Sequence, residues 1–251
     1  MEHYATAQQV FVGGLIFARM AGIVMLIPGI GEAYIPVRIR LSLVFVMTLA
    51  LFPVLSAGAP NEPATVAGLA GAIIKESLIG LMIGGILRMF MGSLATAGEI
   101  VSLQTTLSFS QTANPTQAQP STTLGTFLGL IGVLLVMTTD LHHMFLSAMV
   151  RSYTIFPFHK DVPISDAGML AVRTMGSAFS LGLQLAAPVM VFAFVFNIAT
   201  GLVGRVMPQF QVFFVASPLM LLTGLSVFAL SLGALGMVWV DRYRDLLAVF
   251  G

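Results

Sequence analysis

LAAPVMVFAFVFNIATGLVGRVMPQFQVFFVASPLMLLTG, residues Leu185–Gly224, is the stretch that decides the fold. Two apolar arms flank a short polar link, Gly201–Phe210, and Arg205 is the only charged residue in the stretch. The arms continue outward as the apolar segments Met169–Thr200 and Val212–Val240. Both exceed the roughly 20 apolar residues that a membrane-spanning helix needs. A transmembrane barrel strand alternates apolar and polar residues, whereas these runs are continuous. The spacing therefore predicts a helical hairpin. Pro188 lies inside the first arm and Pro218 inside the second. A proline removes a helical hydrogen bond, so both arms are expected to bend or break.

The rest of the 251-residue chain agrees. Hydrophobic residues make up 57% and charged residues 8%, against about 25% charged in a soluble domain. Further apolar segments are Val10–Ile27, Leu41–Leu55, Val66–Leu94 and Leu124–Thr138, and after Asp140-Leu141-His142-His143 another apolar stretch runs to Val150. The fold class is all-α: an integral membrane protein of helical hairpins with kinked and broken helices. A net charge of +1 implies no nucleic-acid partner, and the absence of cysteine excludes thiol chemistry and disulfides. The N-terminus, MEHYATAQQ, has no basic region before the first apolar run and reads as retained rather than as a cleaved signal peptide.

Between two apolar runs lies TTLSFSQTANPTQAQPSTT, Thr105–Thr123, which is polar and carries no charge. Such a loop suits a confined wet space such as a pore; an ordinary surface loop is the alternative. Arg19, Lys75, Glu76, Arg88 and Arg173 interrupt apolar stretches. A charge at the bilayer centre costs about 2.5–3.5 kcal/mol. These residues are expected to pair at interfaces, to line an aqueous path, or to lie near helix ends and snorkel. Arg88 and Glu99 would share a face of one continuous helix, although Gly92 and Gly98 put that continuity in question. Basic flanks give no clean topology, which suggests that some apolar segments pack against other protein chains. Gly80–Gly84 and Gly125–Gly129 are small-residue pairs suited to close helix packing.

No catalytic, cofactor-binding or metal site is expected. Asp140, His142, His143 and His159 are the one metal-like grouping; adjacent histidines on a helix should point apart, so the residues read as a polar helix end. No nucleophile elbow or nucleotide loop appears, and the chain reads as a non-enzyme.

The hairpin resembles the C-terminal signature of the flagellar biosynthetic protein FliR family, the R subunits of the type III secretion export gate. The matching residues are Ala187-Pro188, Asn197, Gly201-Leu202, Arg205, Pro208-Gln209, Val212-Phe213 and Pro218. RMAGIVMLIPGIGEAYIPVRIRLSL, Arg19–Leu43, resembles the family too, as does Lys75-Glu76 before a glycine-rich helix. The resemblance implies a P-subunit-like region over 1–166 and a Q-subunit-like hairpin over 167–251, joined with P and Q subunits in a closed helical ring around a pore in the bacterial inner membrane. It implies a pore plug at 105–123, with Thr105, Ser108, Phe109, Gln111, Asn114, Pro115 and Gln117 as its residues. Glu76, Arg88, Glu99, Arg205, Pro208 and Gln209 are the expected subunit-interface residues, the hairpin tip lying near the B subunit. Export substrates and membrane lipid are the other implied partners. The competing readings are a stand-alone secondary transporter, whose inverted internal symmetry is not seen, and an injectisome homologue.

Overall fold

The computed structural model describes residues 6–32, 34–108, 122–160, 164–207, 209 and 211–248. Among these residues every regular element is helical: α1 (Ala7–Leu26), α2 (Val37–Leu55), α3 (Val66–Gln104), α4 (Thr123–Thr138), α5 (Leu141–Ile155), α6 (Ile164–Val206) and α7 (Val212–Ala248). A single 3₁₀ turn, Ser56–Gly58, follows α2. The all-α class is as the sequence predicts.

Local chemistry sets the helix boundaries. Thr6 caps α1 through a reciprocal pair with Gln9: the Thr6 hydroxyl accepts from the Gln9 amide, and the Gln9 side chain accepts from the Thr6 amide. Pro28-Gly29-Ile30-Gly31 ends that region, and Gly29 sits at φ 88, which glycine tolerates without a Cβ penalty. Thr122 caps α4 by accepting from the Gly125 amide at 3.1 Å.

α3 continues through Gly92 and Gly98. α6 and α7 likewise stay helical through Pro188 and Pro218. The break falls between α4 and α5, at Thr139 and Asp140, where Asp140 adopts φ 58. Aspartate reaches the left-handed region more readily than most residues, so the helix can stop there without a glycine.

Among the described residues, five helices are long and apolar enough to cross a membrane: Ala7–Leu26, Val37–Gly58 (the 3₁₀ turn included), Val66–Gln104, Ser165–Val206 and Phe214–Ala248. The chain is a membrane protein. At 1.5 Å per residue α3, α6 and α7 are each roughly 55–65 Å long. The hydrocarbon core of a bilayer is about 30 Å thick.

The chain divides into two compact units. One comprises Met1–Phe90, Asp140–Met175 and Arg244–Gly251; the other comprises Met91–Thr139 and Gly176–Tyr243. In the first, α1 meets α3 backbone to backbone. A Cβ on Gly22 would lie 2.7 Å from the Leu81 nitrogen, one on Gly80 would strike the Arg19 carbonyl, and one on Gly84 would lie 2.9 Å from the Ile23 carbonyl. The Gly80–Gly84 pair is thus used for close packing. In the second unit, a Cβ on Gly98 of α3 would lie 2.5 Å from the backbone of Gly125 on α4. Gly129 has nothing within 4 Å, so only one glycine of that pair is used.

Candidate functional site

The first unit is centred on Arg19, which lies in the apolar middle of α1 and is fully buried. Its Nε donates to Glu76 Oε2 at 2.6 Å; the two side chains are 0% and 2% exposed. Nη1 donates to the Ser152 carbonyl at 2.9 Å and Nη2 to the Phe156 carbonyl at 2.8 Å. These carbonyls lie in and just beyond the last turn of α5, where the helix carries partial negative charge; the Ser152 carbonyl also accepts from the Phe156 amide at 2.9 Å. The guanidinium also lies 4.1 Å from the centroid of the Tyr153 ring. Lys75, the neighbour of Glu76, donates to the Phe158 carbonyl at 2.9 Å. Two cations from α1 and α3 therefore hold the end of α5 and the turn after it, and Glu76 balances the buried one.

The other charges in apolar stretches behave differently. Arg88 is exposed, with Nη1 3.4 Å from the Gly31 carbonyl. Glu99 and Arg173 are exposed as well. Arg88 and Glu99 do lie on one continuous helix, but eleven residues raise the helix by roughly 16 Å, so sharing a face does not bring them together.

The second unit holds the root of the uncharged loop. Thr105 is buried, and its hydroxyl donates to the Val101 carbonyl at 2.8 Å. A Cβ on Gly224 of α7 would lie 2.7 Å from Thr105 Cγ2. Thr106 sits at φ 62, an uncommon conformation for a β-branched residue. The chain turns there, with the Ser108 amide donating to the Ser102 carbonyl at 3.2 Å. An open groove of about 270 Å³ adjoins this root; its polar lining is Thr106, Asn197, Thr200 and Ser217, with Phe196 and Met220 among its apolar walls. Thr105 and Ser108 are thus placed at the loop's start. Phe109, Gln111, Asn114, Pro115 and Gln117 lie outside the described residues, as does Pro208. At the hairpin tip Arg205 and Gln209 are exposed.

Sequence reasoning missed a polar tie in this unit. The single tryptophan, Trp239 of α7, is buried and donates from Nε1 to Ser93 Oγ on α3 at 3.1 Å. It stacks on the buried Tyr243 at 5.0 Å. A buried indole needs an acceptor, so a lone tryptophan in an apolar helix was the available signal.

Asp140, His142 and His143 are brought together, against the expectation from adjacent histidines. The two imidazole centroids lie 4.1 Å apart. Both residues stand in the first turn of α5, where long side chains swing toward the left-handed Asp140.

The protein family described as bacterial export proteins, family 1, matches residues 10–246. The flagellar biosynthetic protein FliR of Caulobacter vibrioides (strain ATCC 19089 / CIP 103742 / CB 15) is 58% identical over 250 residues, covering 100% of each chain. That of Escherichia coli (strain K12) is 29% identical, covering 84% of this chain and 80% of its own. That of Bacillus subtilis (strain 168) is 25% identical, covering 94% and 95%.

Proposed function

The chain belongs to the bacterial export proteins, family 1, and on that premise we propose that it is a channel-forming subunit of the flagellar type III export gate, passing unfolded flagellar proteins across the inner membrane. In this reading it acts without catalysis, beside P and Q subunits in the basal body, with the 105–123 loop closing the pore at rest. Arg205, Pro208 and Gln209 face the B subunit at the hairpin tip.

The observation that carries the reading is the mismatch between helix length and exposed surface. α6 and α7 are about twice as long as a bilayer core is thick. They expose large apolar side chains along their length, including Met175, Phe179, Val191, Phe194 and Leu202 on α6 and Phe214, Leu222, Leu230 and Met237 on α7. Lipid can cover only part of such a surface. Apolar surface beyond the bilayer needs protein to cover it, as in a ring of similar hairpins. The groove beside Thr106 and the tight Gly98–Gly125 crossing give the loop a fixed base, which a plug requires.

Coexpression tests the assignment. With P and Q subunits the chain should co-purify at fixed stoichiometry; alone in detergent it should be less stable. A well-dispersed monomer that gains nothing from those subunits would refute it.

A further inference from the structure

Asp140 is the one charged residue between Glu99 and Arg151. Two of the four histidines in the chain follow it within three positions. Asp140 occupies the N-cap position of α5, where an aspartate ordinarily accepts from the first-turn amides, yet its side chain makes no capping hydrogen bond. The left-handed backbone at Asp140 accompanies a different placement of the carboxylate: Oδ1 lies 3.7 Å from His143 Nδ1. One ligand atom from each of Asp140, His142 and His143 lies within 4.8 Å of the others. Among the described residues this is the one grouping of three such side chains. Asp140 is 78% exposed and His143 69% exposed, so a hydrated ion can reach them. His142 Nδ1 is shielded and has no hydrogen-bond partner.

We propose that Asp140, His142 and His143 form a binding site for a borderline divalent transition cation, with Zn²⁺ as the reference ion. Two imidazoles and one carboxylate are the donor set that such ions prefer over Mg²⁺ or Ca²⁺, which favour oxygen ligands. Zinc holds nitrogen and oxygen donors at about 2.0–2.2 Å. A tetrahedral arrangement at that radius puts neighbouring donors roughly 3.3 Å apart. The side chains therefore need to close by up to about 1.5 Å, a movement within reach of the two exposed side chains. Three protein ligands leave a fourth position for water, so the site is an open one. Binding ties the αL residue at the helix break to the first turn of α5. The site stands independently of the export assignment.

The test uses the full chain without a polyhistidine tag, in detergent micelles. Zn²⁺ is titrated by calorimetry, and Co²⁺ by its visible absorption. One saturable equivalent is expected. Asp140→Asn and His143→Ala should each weaken it by more than the roughly 10–100-fold that loss of a supporting partner costs. In the parent chain, Zn²⁺ should also slow diethyl pyrocarbonate modification of His143 while leaving the exposed His159 unaffected. This readout needs no variant and stands even where a substitution harms folding. Absence of saturable binding, unchanged affinity in both variants, or equal protection of His143 and His159 would each overturn the proposal.

Discussion

Arg19 on α1 and Glu76 on α3, 57 positions apart, form an ion pair closed off from solvent. Each charge depends on the other, and the guanidinium also serves two carbonyls at the end of α5. Removing one partner strands the other in a low-dielectric site. Arg19→Ala or Glu76→Ala is expected to cost about 3–5 kcal/mol, measured by denaturation in mixed micelles. Arg19→Lys should rescue little, because an ammonium lacks the planar fork that serves a carboxylate and two carbonyls together. A melting transition unchanged by Glu76→Ala would show that the pair does not hold these helices.

Glycine contacts separate the two helix crossings from neighbouring surface. Gly22→Ala places a methyl against the backbone of Gly80 and Leu81, which cannot rotate away. Gly98→Ala does the same against Gly125. Each should destabilise by about 1–3 kcal/mol through overpacking. Gly92→Ala and Gly129→Ala meet nothing within 4 Å and should be neutral or stabilising by up to about 1 kcal/mol from helix propensity. Thermal unfolding of the four variants checks the contrast, and equal effects from all four would contradict the observed crossings.

The single tryptophan is a built-in probe of the second unit. Ser93→Ala leaves the buried Trp239 N–H without its acceptor, at a cost of about 1–3 kcal/mol. The emission spectrum should shift as the indole seeks another partner or water. A variant with parental emission and parental stability would mean that the bond contributes nothing.

Thr106 pays for the turn at the loop root with backbone strain of about 1–2 kcal/mol. Thr106→Gly is therefore expected to be tolerated or to raise the melting temperature, whereas Thr106→Val should not. Loss of folding in the glycine variant would show that the hydroxyl matters more than the dihedral angle.

The fold class was legible because a continuous apolar run and a low charge count have few physical solutions. The segments read from Val10–Ile27 and Val66–Leu94 became α1 and α3, with ends shifted by caps and by polar residues that a helix tolerates. The proline argument expected a bend or a break at Pro188 and Pro218; neither helix breaks there, and the break came at Asp140, a residue type suited to helix caps and to the left-handed region. The buried charges were legible as a problem and not as a solution. Hydropathy shows that Arg19 needs a partner, but nothing local points to Glu76 or to the carbonyls of α5. Periodicity led instead to Arg88 and Glu99, which share a helix face without meeting. The Asp140–His143 grouping was visible as residue types, but its convergence depends on one left-handed dihedral angle.

Ionic conductance tests most directly whether loop 105–123 seals a pore that this chain helps to form. An uncharged polar loop can lie in a wet lumen without the cost of desolvating a charge. The chain would be purified with P and Q subunits and placed in planar bilayers, with and without residues 109–121. The parent complex is expected to stay closed, and the shortened complex to assemble fully and conduct ions. A shortened complex that assembles at parental yield and remains as tight as the parent would contradict the plug and return the loop to an ordinary surface role.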